Sequence, residues 1–344
     1  MKKNFLMLAV AILTALAMNA ELSQSVVATL THGSTITTFA GGNALKEAHN
    51  AAVDGDAIVL SPGTFNAVDI TKAVTLRGAG AAALSLPDLP VAPGGSTYIT
   101  GNMSINIEST SHTLNIEGCQ FSGIVTFSKA PATSVFKTRF DKISKISDAV
   151  ASISFTHCSI MFDRQSSDFN KNTNMLNTYA NYFLFNPYTK ATNCILQCVG
   201  SGWNECWSAS NSEPADGLLT NCIIFNDWNG YVRPLFANCT AYNCIALTQV
   251  NINNLSGFFN NSSNGTNIVA LASDVLSTTS WPYTLTEAAV TTYLGNDGTQ
   301  VGIHGGPLPM DPIPDNLLVT SCNIASKTTA DGKLSVEIKV STAK

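Results

Sequence analysis

A short phrase recurs along this chain: Thr192-Asn193-Cys194-Ile195, Thr220-Asn221-Cys222-Ile223, Tyr242-Asn243-Cys244-Ile245 and Thr266-Asn267-Ile268-Val269. The Asn-Cys junctions lie 28 and 22 residues apart, and the last copy, with Ile268 in the Cys slot, follows after 24. Upstream the slot is filled more loosely by Cys119, Thr138 and Cys158, at steps of 19 and 20. Self-similarity with a period of about 20 to 30 residues marks a solenoid, whose units bury their apolar faces only against one another. The runs between the phrases are β-rich, three to five residues long, and broken by Gly, Pro and Asp turns, as in Ala57-Ile58-Val59-Leu60 before Pro62-Gly63.

The repeated slot explains the cysteines. Cys119, Cys158, Cys194, Cys222 and Cys244 occupy one position in successive repeats and are followed by apolar residues. They are expected to stack in the interior as small hydrophobes, a role free cysteine fills well. Cys198 and Cys206 flank a loop and are the pair open to a disulfide. No metal site is expected, because there is no CxxC pair and the five histidines are scattered. Asn193, Asn221 and Asn243 are expected at coil corners. Asn tolerates the left-handed backbone, and stacked amides can hydrogen-bond from coil to coil.

Residues 1–20 read as a signal peptide: Lys2 and Lys3, an apolar run over residues 5–16, then Ala17-Met18-Asn19-Ala20. The expected location is secreted, periplasmic or cell-surface, with no membrane span once the signal is removed. Charged residues make up only 12%, against roughly 25% in ordinary globular chains. Asn, Thr and Ser take the polar positions, and the net charge of −5 comes without an acidic block. No basic stripe suits a nucleic acid.

Residues 43–52 read as a helix: Asn43 as N-cap, Leu45, Ala48 and Ala52 on one face, Asp54-Gly55 as the stop. A helix before stacked strands suits the open end of a solenoid, which exposes apolar cross-section and unpaired backbone groups. The pattern Ala44-Leu45-x-x-Ala48-x-x-Ala51-x-x-Asp54-Gly55-Asp56-x-Ile58-x-Leu60-x-Pro62-Gly63-Thr64-Phe65, ending in Leu76-Arg77-Gly78, resembles the N-terminal cap and first coil of right-handed parallel β-helix proteins of the pectate-lyase-like superfamily. The likeness is close over residues 43–80 and looser to about residue 305. Residues 297–306 (Asp-Gly-Thr-Gln-Val-Gly-Ile-His-Gly-Gly) resemble the segment that often ends such helices in exported proteins of the Bacteroidetes type. The resemblance implies an all-β, right-handed, single-stranded parallel β-helix over residues 21–306, with a short capping helix. After four prolines between Pro307 and Pro314, two alternating runs, Leu317-Leu318-Val319 and Leu334 to Val340, predict a small C-terminal β appendage over residues 307–344.

The family includes lyases and hydrolases, and the fold alone does not choose among them. A lyase of this kind needs an Arg or Lys base beside acidic residues that hold calcium, the only cofactor such an activity implies. The candidates are Asp163, Arg164 and Asp168, with Asp227 and Arg233. A hydrolase needs convergent carboxylates. The repeated slots instead hold Cys, Asn and Thr, so the expectation leans toward a non-catalytic protein. The alternative is a polysaccharide lyase or glycoside hydrolase with a loop-borne site over residues 160–235. The strongest positive signal is aromatic: Trp203, Trp207, Trp228 and Tyr231, with Arg233 nearby, lie between two of the best-defined repeats. Exposed rings of this kind stack on sugars, so polysaccharide or surface glycan is the expected partner. Alternatively, the same rings fold back on the solenoid flank.

Overall fold

The computed structural model describes residues 26–81, 95–163, 172–181, 190–198, 217–226, 240–248, 252–255, 258–259, 266–277, 284–310, 317–324 and 336–342. The chain forms an all-β parallel solenoid of about 7 turns. Each repeat contributes one strand to a first sheet and one to a second. The later repeats show the pattern: Lys190–Thr192 pairs in parallel with Leu218–Thr220, and that strand with Thr240–Tyr242. In the second sheet Ile195–Cys198 pairs with Ile223–Asn226, and that strand with Ile245–Thr248.

Alternation along each strand sends every second residue inward, and the parallel register stacks those residues in columns. In the first sheet the column runs from Ile58 and Leu76 through Ile116, Val135, Phe155 and Met175 to Ala191, Leu219 and Ala241. In the second it runs from Phe65, Ile99, Phe121 and Phe140 through Ile160 and Ala180 to Leu196, Ile224 and Ala246. All of these residues are buried. Together they form the long interior core.

The N-terminal turns carry a third ladder, in which Met103 pairs with Val125 and Val125 with Ile143. Here Cys119–Phe136 is continuous over 18 residues, against the expectation of strands no longer than five. The chain crosses from one face to the next through register shifts instead of loops.

The expected helix forms as α1 (Ala44–Ala51), with Ala44, Leu45, Ala48 and His49 buried. Asn43 stands at its N-cap but makes no capping bond. Its Oδ1 instead accepts from Asn66 Nδ2 at 2.9 Å, which ties the helix start to the first turn. Ahead of α1 an antiparallel hairpin, Val27–His32 with Thr35–Ala40, adds to the first sheet by pairing with Ala57–Leu60. Near the other end α2 (Ala272–Val275) and α3 (Glu287–Thr292) follow the last turn. Thr286 caps α3 by accepting from Ala289 N at 3.2 Å. Leu317–Ile324 and Val336–Thr342 form a separate antiparallel pair.

The corner between the two sheets uses one conformation throughout. Lys137, His157, Asn177, Asn193, Asn221 and Asn243 have φ between 44° and 54°. Asn fits this region with little strain, while other side chains there cost roughly 1–2 kcal/mol. The next residue points inward, and its γ-atom donates to the carbonyl two residues back. Cys119, Thr138, Cys158, Thr178, Cys194, Cys222 and Cys244 all make this bond, at 2.9–3.4 Å. The slot therefore selects a small buried side chain with a γ-donor, which is why Cys and Thr alternate in it. The cysteines are free and buried, as expected. Asn177-Thr178 is a further turn that the repeat phrase did not reveal.

Residue Asn267 ends the series differently. Its side chain accepts from Cys244 N at 2.9 Å and donates to Ala241 O at 2.9 Å, so one amide stands where a further backbone turn would bond. The chain then returns along the corner. Asn296 bonds to Asn221, Gly302 N donates to Asn221 O, Asn177 Nδ2 donates to Ile303 O and Gly305 O, and Leu308 O meets His157 Nε2 at 2.7 Å. Residues 295–308 thus form a strap running back from the turn of Asn221 to that of His157. The expected amide ladder exists between Asn221 and Asn193 (3.3 Å), but the corner amides chiefly hold this strap.

Under the strap and α3 lies a second core, outside the solenoid. Ile195, Ile223 and Ile245 face outward from the second sheet and pack with Leu285, Ala289, Val301 and Ile303.

Candidate functional site

The segments of the expected loop site leave from strands of the second sheet. Cys198, Asn226 and Thr248 are register neighbours at the ends of their strands. From that common edge the chain leaves toward residues 199–216 and 227–239, and it re-enters the first sheet at Leu218 and Thr240. The segment bearing Trp203 and Trp207 and the segment bearing Trp228, Tyr231 and Arg233 therefore spring from adjacent turns at one edge. The five residues themselves lie outside the described residues, as do Arg164, Asp168, Asp227 and Cys206. Cys198 is the last residue of its strand, and its side chain also lies outside them.

Asp163 is the one residue of the alternative charged site within view. Its carboxylate pairs with Lys142 Nζ at 3.0 Å, and both groups are partly exposed. Arg139 and Asp141 form a second pair nearby at 2.7 Å. Exposed pairs of this kind contribute little to stability. They also leave the local charge balanced. Among the described residues no group of three or more His, Cys, Asp or Glu is placed to hold a metal ion. No described helix is long and apolar enough to cross a membrane.

Three of the stacked thiols, Cys119, Cys158 and Cys194, are chemically quiet. Burial pushes Cys119 and Cys158 up to about 12, and it raises Cys194 well above the ordinary thiol range. A thiol so held is neither nucleophile nor metal ligand at neutral pH.

A different surface, not anticipated from the sequence, is the outward face of the first sheet. Register places Thr156, Leu176, Thr192, Thr220 and Tyr242 in one column. Beside them run Ser154, Asn174, Lys190, Leu218 and Thr240. Tyr242 and Leu218 are both 38% exposed. The only charge among these ten positions is Lys190. The signal for this face lay in the residue immediately before each corner Asn or His, which reads Thr, Leu, Thr, Thr, Tyr once the missing turn at Asn177 is included. Comparison with protein-family models, with curated proteins and with solved structures finds no match to this chain.

Proposed function

We propose that this is an exported, non-catalytic glycan-binding solenoid of the pectate-lyase-like type found in Bacteroidetes-type bacteria, right-handed in its winding. The signal over residues 1–20 directs it to the periplasm, the cell surface or the medium. In this reading α1 caps the first turn, residues 21–306 form the solenoid unit, and residues 307–344 form a terminal β appendage.

The carrying observation is the shared edge at Cys198, Asn226 and Thr248, from which the aromatic segments leave in adjacent turns. Loops on a rigid scaffold are where binding residues concentrate. Trp203, Trp207, Trp228 and Tyr231 supply stacking faces there, and Arg233 supplies a hydrogen-bonding fork. The pairing of Asp163 with Lys142 favours this reading over a lyase or hydrolase, since it ties up the one charged candidate in view.

The test is a panel of polysaccharides offered to the native chain and to Trp203→Ala, Trp207→Ala and Trp228→Ala. For at least one polysaccharide of the panel, retention that weakens in the variants, with no product formed, is the expected result. Calcium-dependent unsaturated product or released reducing ends would overturn the non-enzymatic reading. Equal retention by all variants would remove the aromatics from the site.

A further inference from the structure

We infer that the outward face of the first sheet, centred on the column from Thr156 to Tyr242, is a second glycan-binding surface that takes an extended, uncharged, β-linked polysaccharide lying along the solenoid axis. The inference deepens the proposed glycan function and rests on it, but it uses none of the loop residues.

Three features of the face select that ligand. The first is charge. The ten outward positions hold hydroxyls, an amide, two aliphatic side chains, one aromatic ring and one lysine, with no carboxylate. Such a face neither attracts a polyanion strongly nor desolvates charges on contact, so it suits a neutral chain. Earlier turns of the same columns differ: Arg77 and Glu117 form an ion pair at 2.6 Å. The stretch without carboxylates is therefore local to the later turns and is not a general property of the sheet.

The second feature is spacing. Parallel strands lie about 4.8 Å apart, so each column presents one group per step of that length. A β-linked hexose chain in extended form advances by a similar step per sugar. Hydroxyls from Thr192 and Thr220 would then meet successive units, whose two edges alternate toward the sheet from one step to the next.

The third feature is the mixture of apolar and polar groups. Tyr242 is exposed at the end of the column, and Leu176 lies two turns before Thr220 in it. Sugar rings are amphipathic, with C–H faces and hydroxyl rims. A column offering aliphatic or aromatic surface between threonines matches both. The parallel register fixes these groups in a flat row, so little side-chain and no backbone ordering opposes binding.

The test measures depletion of the full chain from solution by swollen cellulose and by colloidal chitin, with soluble polygalacturonate as the charged control. Variants are Tyr242→Ala and, in a different turn, Thr192→Glu, with thermal unfolding recorded for each. The chosen side chains are at the surface, and either variant alone suffices if the other misfolds. The expected result is retention of the native chain by at least one neutral polymer, a fall of tenfold or more in both sheet variants, and unchanged retention in the combined Trp203→Ala, Trp207→Ala, Trp228→Ala variant. Loss in the tryptophan variant with unchanged sheet variants would overturn this inference and leave the loop site standing. No retention of the native chain by either neutral polymer would overturn it too, and binding to polygalacturonate alone would leave only the loop reading.

Discussion

The N-terminal and C-terminal turns solve the same packing problem in opposite ways. The earlier turns have three ladders and fill their interior with rings: Phe140 stacks on Phe121 at 4.9 Å and meets Phe127 and Phe155 edge-on. The later turns place alanines at Ala180, Ala191, Ala241 and Ala246, so the interior alone buries less apolar surface per turn. They recover it outside, where Ile195, Ile223 and Ile245 pack beneath the strap. Among the described residues the ion pairs divide likewise: Arg77–Glu117, Lys129–Glu108, Arg139–Asp141 and Lys142–Asp163 all involve residues before the turn of Asn177. A solenoid can thus be stabilised from within or from its flank. The flank-stabilised half is also the half from whose strand ends the segments bearing Trp203, Trp207 and Trp228 leave.

If the earlier half depends on its rings, Phe140→Ala should cost about 4 kcal/mol, since it deletes a buried ring touching three others. Chemical denaturation of the two proteins measures this. If the later half depends on its strap, Gly305→Val should be nearly as damaging, at about 3 kcal/mol. A Cβ there would collide with Gln300 O and approach Asn193 Nδ2 at 3.0 Å. A lowered first transition, with the Phe-rich half melting as before, would separate the two halves.

Asn221→Ala should cost about 2 kcal/mol. It removes bonds to Asn193 and Asn296 and leaves alanine at a φ of 54°. Asn243 shares the backbone conformation, but the strap bonds go to Asn221, Asn177 and His157, so Asn243→Ala should cost about half as much. Equal effects would place the whole cost in the backbone.

The smallest effects concern the thiols. Cys222→Thr should change stability by less than about 1 kcal/mol, because threonine already serves the slot at Thr138 and Thr178. Cys119 and Cys158 stay protonated in the folded chain until about 12, whereas ordinary thiols ionise near 9.0. Folded values raised above unfolded ones mean the contribution is fully present below pH 9 and is lost as pH rises toward 12. Stability should therefore be flat through neutral pH and fall above about 9, as followed by denaturant midpoints across that window.

Much of this architecture was legible because it is local. The Cys and Asn of the repeated phrase report the corner and the inward slot directly. The turn at Asn177-Thr178 was missed because threonine replaces cysteine and Tyr179-Ala180 replaces an isoleucine follower. The terminal Asn267 looked like another repeat, yet its side chain substitutes for the backbone of a turn that does not follow. Residues 297–306 were recognisable as an ending, but their bonds reach residues more than a hundred positions earlier, as from Gly305 O to Asn177. No periodicity encodes such a contact. The outward column ending at Tyr242 was hidden for the same reason, since its members become neighbours only through register across turns.

The most direct test of this two-halves account is hydrogen exchange on the chain truncated after Leu294, compared with a chain truncated after Met310 that keeps the strap. The account predicts that loss of the strap removes protection from residues 173–248 while residues 57–162 exchange as before. Uniform loss along the solenoid, or unchanged protection in the later turns, would contradict it.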